Sequence, residues 1–268
     1  MDLSGVGCIQ EEGWTSCVGG DNKSPPSFLP VNRIRFYFSS PFNKIRLFPF
    51  YYCMSASHHQ VQLVHHTNKG DELVAYMARV SNPGNQNNTK TSAKLISYLI
   101  KHKHWSPFEM VNMCVEIETT RSVAAQILRH RSFSFQEFSQ RYADASLLGT
   151  GVVPELRLQD PVNRQNSIEV EEEDLFLKQE IKQLYKHSEL VYRKLLEAGV
   201  AKECARDVLP LSTPTRMYMN GTLRSWIHYC DLRCANGTQK EHKVIADQCK
   251  QLIGICYPQI YTAVWSNV

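Results

Sequence analysis

Between Arg129 and Tyr142 the chain reads Arg-His-Arg-Ser-Phe-Ser-Phe-Gln-Glu-Phe-Ser-Gln-Arg-Tyr. Arg129, His130 and Arg131 stand at the end of a segment with helical apolar spacing. Gln126, Arg129 and His130 fall at i, i+3 and i+4, which would put them on one helix face. Neighbouring cationic groups repel unless an anion neutralises them. The planar fork of arginine suits phosphate, because it donates two parallel hydrogen bonds. A carboxylate, Glu137, follows, with hydroxyls at Ser132, Ser134 and Ser139. Three readings are open for such a stretch. It is a solvated basic helix end; or it holds single-stranded nucleic acid, with Phe133, Phe135, Phe138 and Tyr142 as stacking platforms; or it holds an anionic small molecule such as a nucleotide.

The spacing resembles the signature of the flavin-dependent thymidylate synthases, Arg-His-Arg, seven residues, then Ser. Arg129, His130, Arg131, Glu137, Ser139, Arg141 and Tyr142 fall on that pattern, while Gln136 stands where the family usually has Asn. Other segments match in order. Ala78-Arg79-Val80-Ser81 resembles the family's early flavin-site segment, and His104-Trp105-Ser106-Pro107-Phe108-Glu109 its His-x-Ser/Thr-Pro-Phe-Glu element. Glu203-Cys204-Ala205-Arg206 is similar to the segment with a nucleotide-binding arginine. Arg224-Ser225 and Leu232-Arg233 fit the last functional helix, where Thr222 and His228 replace a frequent Asn.

The resemblance implies an enzyme that converts dUMP to dTMP with FAD, methylenetetrahydrofolate as carbon donor and NADPH as reductant. It implies flavin contacts from Ser81, Ser106, Glu109, Arg129, His130, Arg131, Glu137, Arg224 and His228. Around the nucleotide it implies Gln126, Arg129, Glu137, Phe138, Ser139, Gln140, Arg141, Arg206 and Arg233. Uracil C5 is a poor nucleophile until negative charge builds in the ring, and Arg233 is the candidate to stabilise that charge. Ser139 lies where a nucleophile could stand, but no free base accompanies it, so it is assigned to binding. His104 would orient folate or flavin, or simply end its helix. The implied fold is α/β (α+β), a central, mostly antiparallel sheet flanked by helices in a single domain, assembled as a homotetramer with active sites between subunits.

These residues need elements to hold them. Val111, Met113, Val115 and Ile117 alternate with polar neighbours, which predicts a half-buried strand. Further strands are expected at Gln60 to His65 and Arg216 to Met219. Helical spacing predicts helices over Asp71 to Arg79, Thr91 to Lys103, Ser122 to Arg131, from an acidic start at Glu169 to Asp174 through to Gly199, Lys202 to Val208, Thr222 to Cys234 and Glu241 to Cys256. Gly199 is a fitting C-terminal stop.

The chain has 268 residues, 43% of them hydrophobic, enough for a sizeable core. Its formal charge of +4 favours anionic ligands but falls short of a dedicated nucleic-acid binder, so no nucleic-acid partner is expected. Nine cysteines form no C-x-x-C pair, which suggests reduced thiols, and a cytoplasmic protein with no membrane span is expected. Cys230 and Cys234, near His228 and His242, are spaced more like core packing than zinc ligands, so no metal is expected. Residues 1–53 are proline-rich and aperiodic, and from Asn22 to Gly70 carry no Asp or Glu. They predict a disordered or non-native extension ahead of a catalytic domain over 54–268.

Overall fold

The computed structural model describes residues 58–266 apart from 150, 172 and 173. The extension expected over residues 1–53 lies outside the described residues. The sequence alternation at 111–117 forms β2 (Asn112–Thr120), antiparallel to β1 (Gln60–His66) on one side and to β6 (Pro214–Thr222) on the other. A short strand, β3 (Ser134–Glu137), pairs antiparallel with β6 and completes the sheet order β1-β2-β6-β3. Met113, Val115 and Ile117 of β2 and Met217 and Met219 of β6 are fully buried on one face. Glu116, Glu118, Arg216 and Tyr218 point the other way, where Arg216 bonds Glu118. This is the two-faced pattern of an antiparallel sheet with one side on the core.

Helices α1 (Gly70–Ala78), α2 (Ser92–Lys101), α3 (Arg121–Ile127), α6 (Leu223–Arg233), α7 (Lys240–Cys256) and α8 (Pro258–Trp265) contribute to the same core. Trp226 of α6 lies fully buried against the sheet, and its indole N–H donates to the Met113 carbonyl at 2.9 Å. An apolar ring thus enters the core with its one donor satisfied. Asp71 caps α8 by accepting the amides of Gln259 and Ile260, both at 3.1 Å. Thr91 precedes α2, but its side chain does not cap that helix. Its hydroxyl instead accepts from the buried Arg79 guanidinium at 2.8 Å.

The long helix α4 (Leu175–Glu197) starts later than the acidic run suggested, because Asp174 caps it by accepting the amides of Phe176 and Leu177. Its end matches the sequence. Gly199 takes φ +80°, and the amides of Gly199 and Val200 bond the carbonyls of Leu196 and Leu195, the Schellman pattern that glycine favours. α5 (Lys202–Ala205) and the 3-10 turn Arg206–Val208 follow, while β4 (Leu158–Gln159) and β5 (Ser167–Ile168) form a small separate hairpin.

One contact fixes the signature segment to this frame. The Phe133 ring lies where a Cβ on Gly221 would stand, 2.4 Å from the ring's Cδ1. The same ring packs edge-on to Trp226 at 4.8 Å between centroids. Burying a phenylalanine contributes about 1.5–3 kcal/mol, and only glycine leaves room for it here. Gly221→Ala should therefore cost about 1–3 kcal/mol of stability. Urea unfolding should read this loss, with partial recovery in Gly221→Ala/Phe133→Leu; an unchanged midpoint would disprove the contact's importance.

Candidate active site

The helix expected through Arg131 stops at Ile127. Arg129 and His130 continue only through single turns, their amides bonding the carbonyls of Gln126 (3.3 Å) and Ile127 (3.0 Å). The reason is Phe133, whose amide bonds the His130 carbonyl at 3.2 Å as the ring drops into the core. Arg129, His130 and Arg131 thus sit on a tight turn above the sheet. Phe133 is buried and unavailable as a stacking platform, whereas Tyr142 is 86% exposed.

His130 does not carry a third positive charge. Its Nε2 accepts from Arg233 Nε at 3.0 Å, which requires a bare nitrogen. Burial, and then the Arg233 guanidinium, hold its pKa below the usual 6.5. Tyr229 presses edge-on to the His130 ring at 4.9 Å. Arg129 and Arg131 are exposed, and no described residue gives either guanidinium group a counter-charge or a hydrogen bond.

Gln126 does reach the same region. Its Nε2 donates to Gln239 Oε1 at 2.5 Å, and its Oε1 lies 3.4 Å from Nδ1 of His242. The other ring nitrogen of His242 is 3.1 Å from the Tyr229 hydroxyl. His242 is fully buried; burial, then Arg233 and His130, push its pKa down to about 3. Sequence reasoning noticed His242 only as a metal neighbour and passed over Tyr229 and Gln239. Nothing in their local spacing points to Gln126, 113 residues from Gln239 in the chain.

A second group forms at the start of α6. Glu109, from the 3-10 turn Ser106–Met110, accepts from Arg224 at 2.8 Å. Burial pushes this carboxyl up, but bonds from Arg224 and Thr222 and the guanidinium charge outweigh it and hold it below the usual range. His228, one turn after Arg224, faces Trp105 at 5.2 Å between rings. Thr222 caps α6 by accepting the Ser225 amide at 3.3 Å, so the residue that departs from the family's Asn serves the helix directly. Ser106 opens the same turn and is exposed.

Other predicted residues lie on the flanks. Glu137 faces inward beside Met217 and accepts from Arg121 (2.6 Å) and Thr215 (2.9 Å), so its charge is already matched within the chain. Gln136 is exposed on the outer face opposite Tyr218. Phe138 bonds through its amide to the Arg216 carbonyl, Ser139 is exposed and Gln140 is buried. Arg141 pairs with Glu203 at 3.0 Å, which joins the signature to the segment of Arg206. Arg206 itself is 3.9 Å from Asp207. Two predicted residues have no bond to these groups. His104 follows Lys103, whose φ of 57° ends α2, and lies beside Tyr98 and His102. Ser81 lines an open cleft of about 460 Å³ with Arg79, Lys94 and Tyr98.

Cys230 is buried, with its sulfur 3.9 Å from the Ala246 carbonyl. Among the described residues no three His, Cys, Asp or Glu side chains gather as a metal would need, and no helix is long and apolar enough to cross a membrane.

These features define a class, an α+β protein with an antiparallel sheet and two exposed arginines on the turn between α3 and β3. A family model described as thymidylate synthase complementing protein matches residues 62–259. A protein of Paramecium bursaria Chlorella virus 1, named a probable flavin-dependent thymidylate synthase, is 52% identical over 204 residues, 75% of this chain and 94% of the relative. A flavin-dependent thymidylate synthase of Synechocystis sp. is 47% identical over 194 residues, covering 72% and 88%. Among solved structures, the UMP/dUMP methylase PolB from Streptomyces cacaoi, bound with 5-Br dUMP, superposes with a TM-score of 0.70. It is 27% identical and covers 77% of this chain and 94% of that one. The chain belongs to the family of flavin-dependent thymidylate synthases.

His242 generates a pH prediction. An unfolded histidine takes a proton near 6.5, whereas His242 in the fold resists it down to about 3. The unfolded state therefore holds more protons between those values, so stability is complete above about 6.5 and declines as pH falls from there. His242→Asn should flatten this decline by one proton's share in urea titrations at pH 7, 6 and 5. Parallel curves for both proteins would contradict a buried neutral His242.

Proposed function

We propose that this protein is a thymidylate synthase that methylates dUMP to dTMP with bound FAD, methylenetetrahydrofolate as carbon donor and NADPH as reductant. The observation that carries the reading is the pair of exposed guanidinium groups, Arg129 and Arg131, which have no counter-charge among the described residues. Two fixed cations without anions suit a ligand with phosphates. The Glu109–Arg224 pair and the His228–Trp105 contact supply a second polar and aromatic edge. These residues fit a flavin dinucleotide, with Arg129, His130 and Arg131 toward its diphosphate and Ser81, Ser106, Glu109, Arg224 and His228 nearby.

Bound FAD would supply hydride chemistry, replenished from NADPH, for a one-carbon unit delivered by the folate. The chain's own residues bind and polarise the nucleotide. Arg233 stabilises negative charge in the pyrimidine ring, with its Nε directed by neutral His130. Ser139, Gln140, Arg141 and Arg206 surround the nucleotide's polar groups, and Ser139 acts as a hydrogen-bonding group. His104 orients the folate or the flavin. Phe138, Glu137 and Gln126 complete the nucleotide's surroundings, with Glu137 tethered by Arg121.

The reading includes a homotetramer, and the surface of α4 supports a contact between subunits. Leu177 and Leu184, seven residues apart on one face, are exposed by 50% and 63%, and Leu175 and Phe176 are exposed at the helix start, an apolar surface that fits a subunit contact. The reading places the enzyme in the cytoplasm and treats residues 1–53 as an extension outside the catalytic domain.

Purified protein should be yellow and bleach with NADPH, and should release dTMP from dUMP when folate is added. Arg233→Ala should abolish dTMP formation while flavin stays bound, and near-normal turnover would refute its role. Arg131→Ala should lose flavin on gel filtration, read by absorbance; a full complement would show that the flavin set is misassigned.

A further inference from the structure

A chain of hydrogen bonds runs from the start of α7 to the basic turn, and chemistry permits it only one polarity. Arg157 holds the Glu241 carboxylate at 2.8 Å, and burial alone would raise that carboxyl, but its bonds hold it low, so it is ionised. An ionised carboxylate can only accept. Gln239 therefore gives Glu241 its Nε2 (2.9 Å), which turns Gln239 Oε1 toward Gln126. Gln126 must then donate its own Nε2 to that oxygen, which turns its Oε1 toward His242. His242 must donate from Nδ1, across a long 3.4 Å, leaving Nε2 bare to accept the Tyr229 hydroxyl at 3.1 Å. The Tyr229 phenol, almost wholly buried, keeps its proton and can donate it.

We propose that Glu241, Gln239 and His242 are positioning residues that lock the side-chain amide of Gln126 in one orientation before the nucleotide arrives. The locked amide keeps one Nε2–H, so the group it takes from the ligand is an acceptor oxygen of a nucleoside monophosphate. An amide free to turn would meet that oxygen with its own carbonyl part of the time, and the lock removes that loss. Arg157, which enters from the segment of β4, extends the lock to a part of the chain far from the signature. The inference rests on the proposed nucleotide site.

Titration calorimetry with dUMP on the flavin-loaded enzyme tests it. Glu241→Gln keeps the size but removes the fixed acceptor, and His242→Leu removes the Nδ1 donor. Each should weaken dUMP binding and raise its KM roughly five- to tenfold, with kcat and flavin content near wild type. His242→Asn, whose amide nitrogen replaces Nδ1, should restore most of the affinity, which a purely structural role would not predict. If Glu241→Gln binds dUMP as wild type does, the inference falls, even should His242→Leu fail to fold. If the wild type itself binds no dUMP, the proposed function falls first and this inference with it.

Discussion

A ring fits against a residue without a side chain, and the geometry of the site follows from that fit. Phe133 occupies the space beside Gly221 on β6, edge-on to Trp226. Because the ring must reach the core, the backbone before it cannot continue the helix of α3, and it folds into the turn that carries Arg129, His130 and Arg131. The residues after the ring extend as β3, with Phe135 and Glu137 directed inward and Ser134 and Gln136 outward. One apolar contact thus decides where two exposed cations stand. It also allows those cations to remain without partners, since their backbone is held by packing and not by ion pairs.

Around this anchor the electrostatics divide into groups already matched and groups left open. Glu137 is matched by Arg121, Arg141 by Glu203 and Arg224 by Glu109. The two more exposed pairs, Arg141–Glu203 and Arg224–Glu109, add little to stability, typically under about 1 kcal/mol. Their greater effect is to fix the direction of long side chains around the turn. His130 is kept neutral by burial and by the guanidinium it serves as acceptor. The guanidinium groups of Arg129 and Arg131 stand exposed with no partner among the described residues. Helix α6 carries both ends of this arrangement, with Arg224 and His228 at its start and Arg233 at its close.

Much of the fold was legible because local chemistry and final burial agree there. The alternation of Met113, Val115 and Ile117 became the central strand, and Gly199 ended α4 in a left-handed turn. Strand β3 also left a signal, since Phe133, Phe135 and Glu137 alternate with Ser134 and Gln136, but basic and aromatic residue types drew the reading toward binding instead of pairing. Helix α8 left less, because Pro258 opens it directly after α7 and its cap, Asp71, comes from the other end of the chain.

The sequence by itself determined the residue types of the site and their order, because the signature's spacing is a property of the chain alone. It also determined the sheet's buried face, because alternation sorts side chains before any partner is known. Only the tertiary structure decided which of those residues are charged and which are already paired. Those properties depend on burial and on neighbours distant in the chain: Arg233 beside His130, Arg121 against Glu137, and α7 against Gln126. A proton's affinity is set by the field and solvent around it, and that environment exists only after the chain has folded.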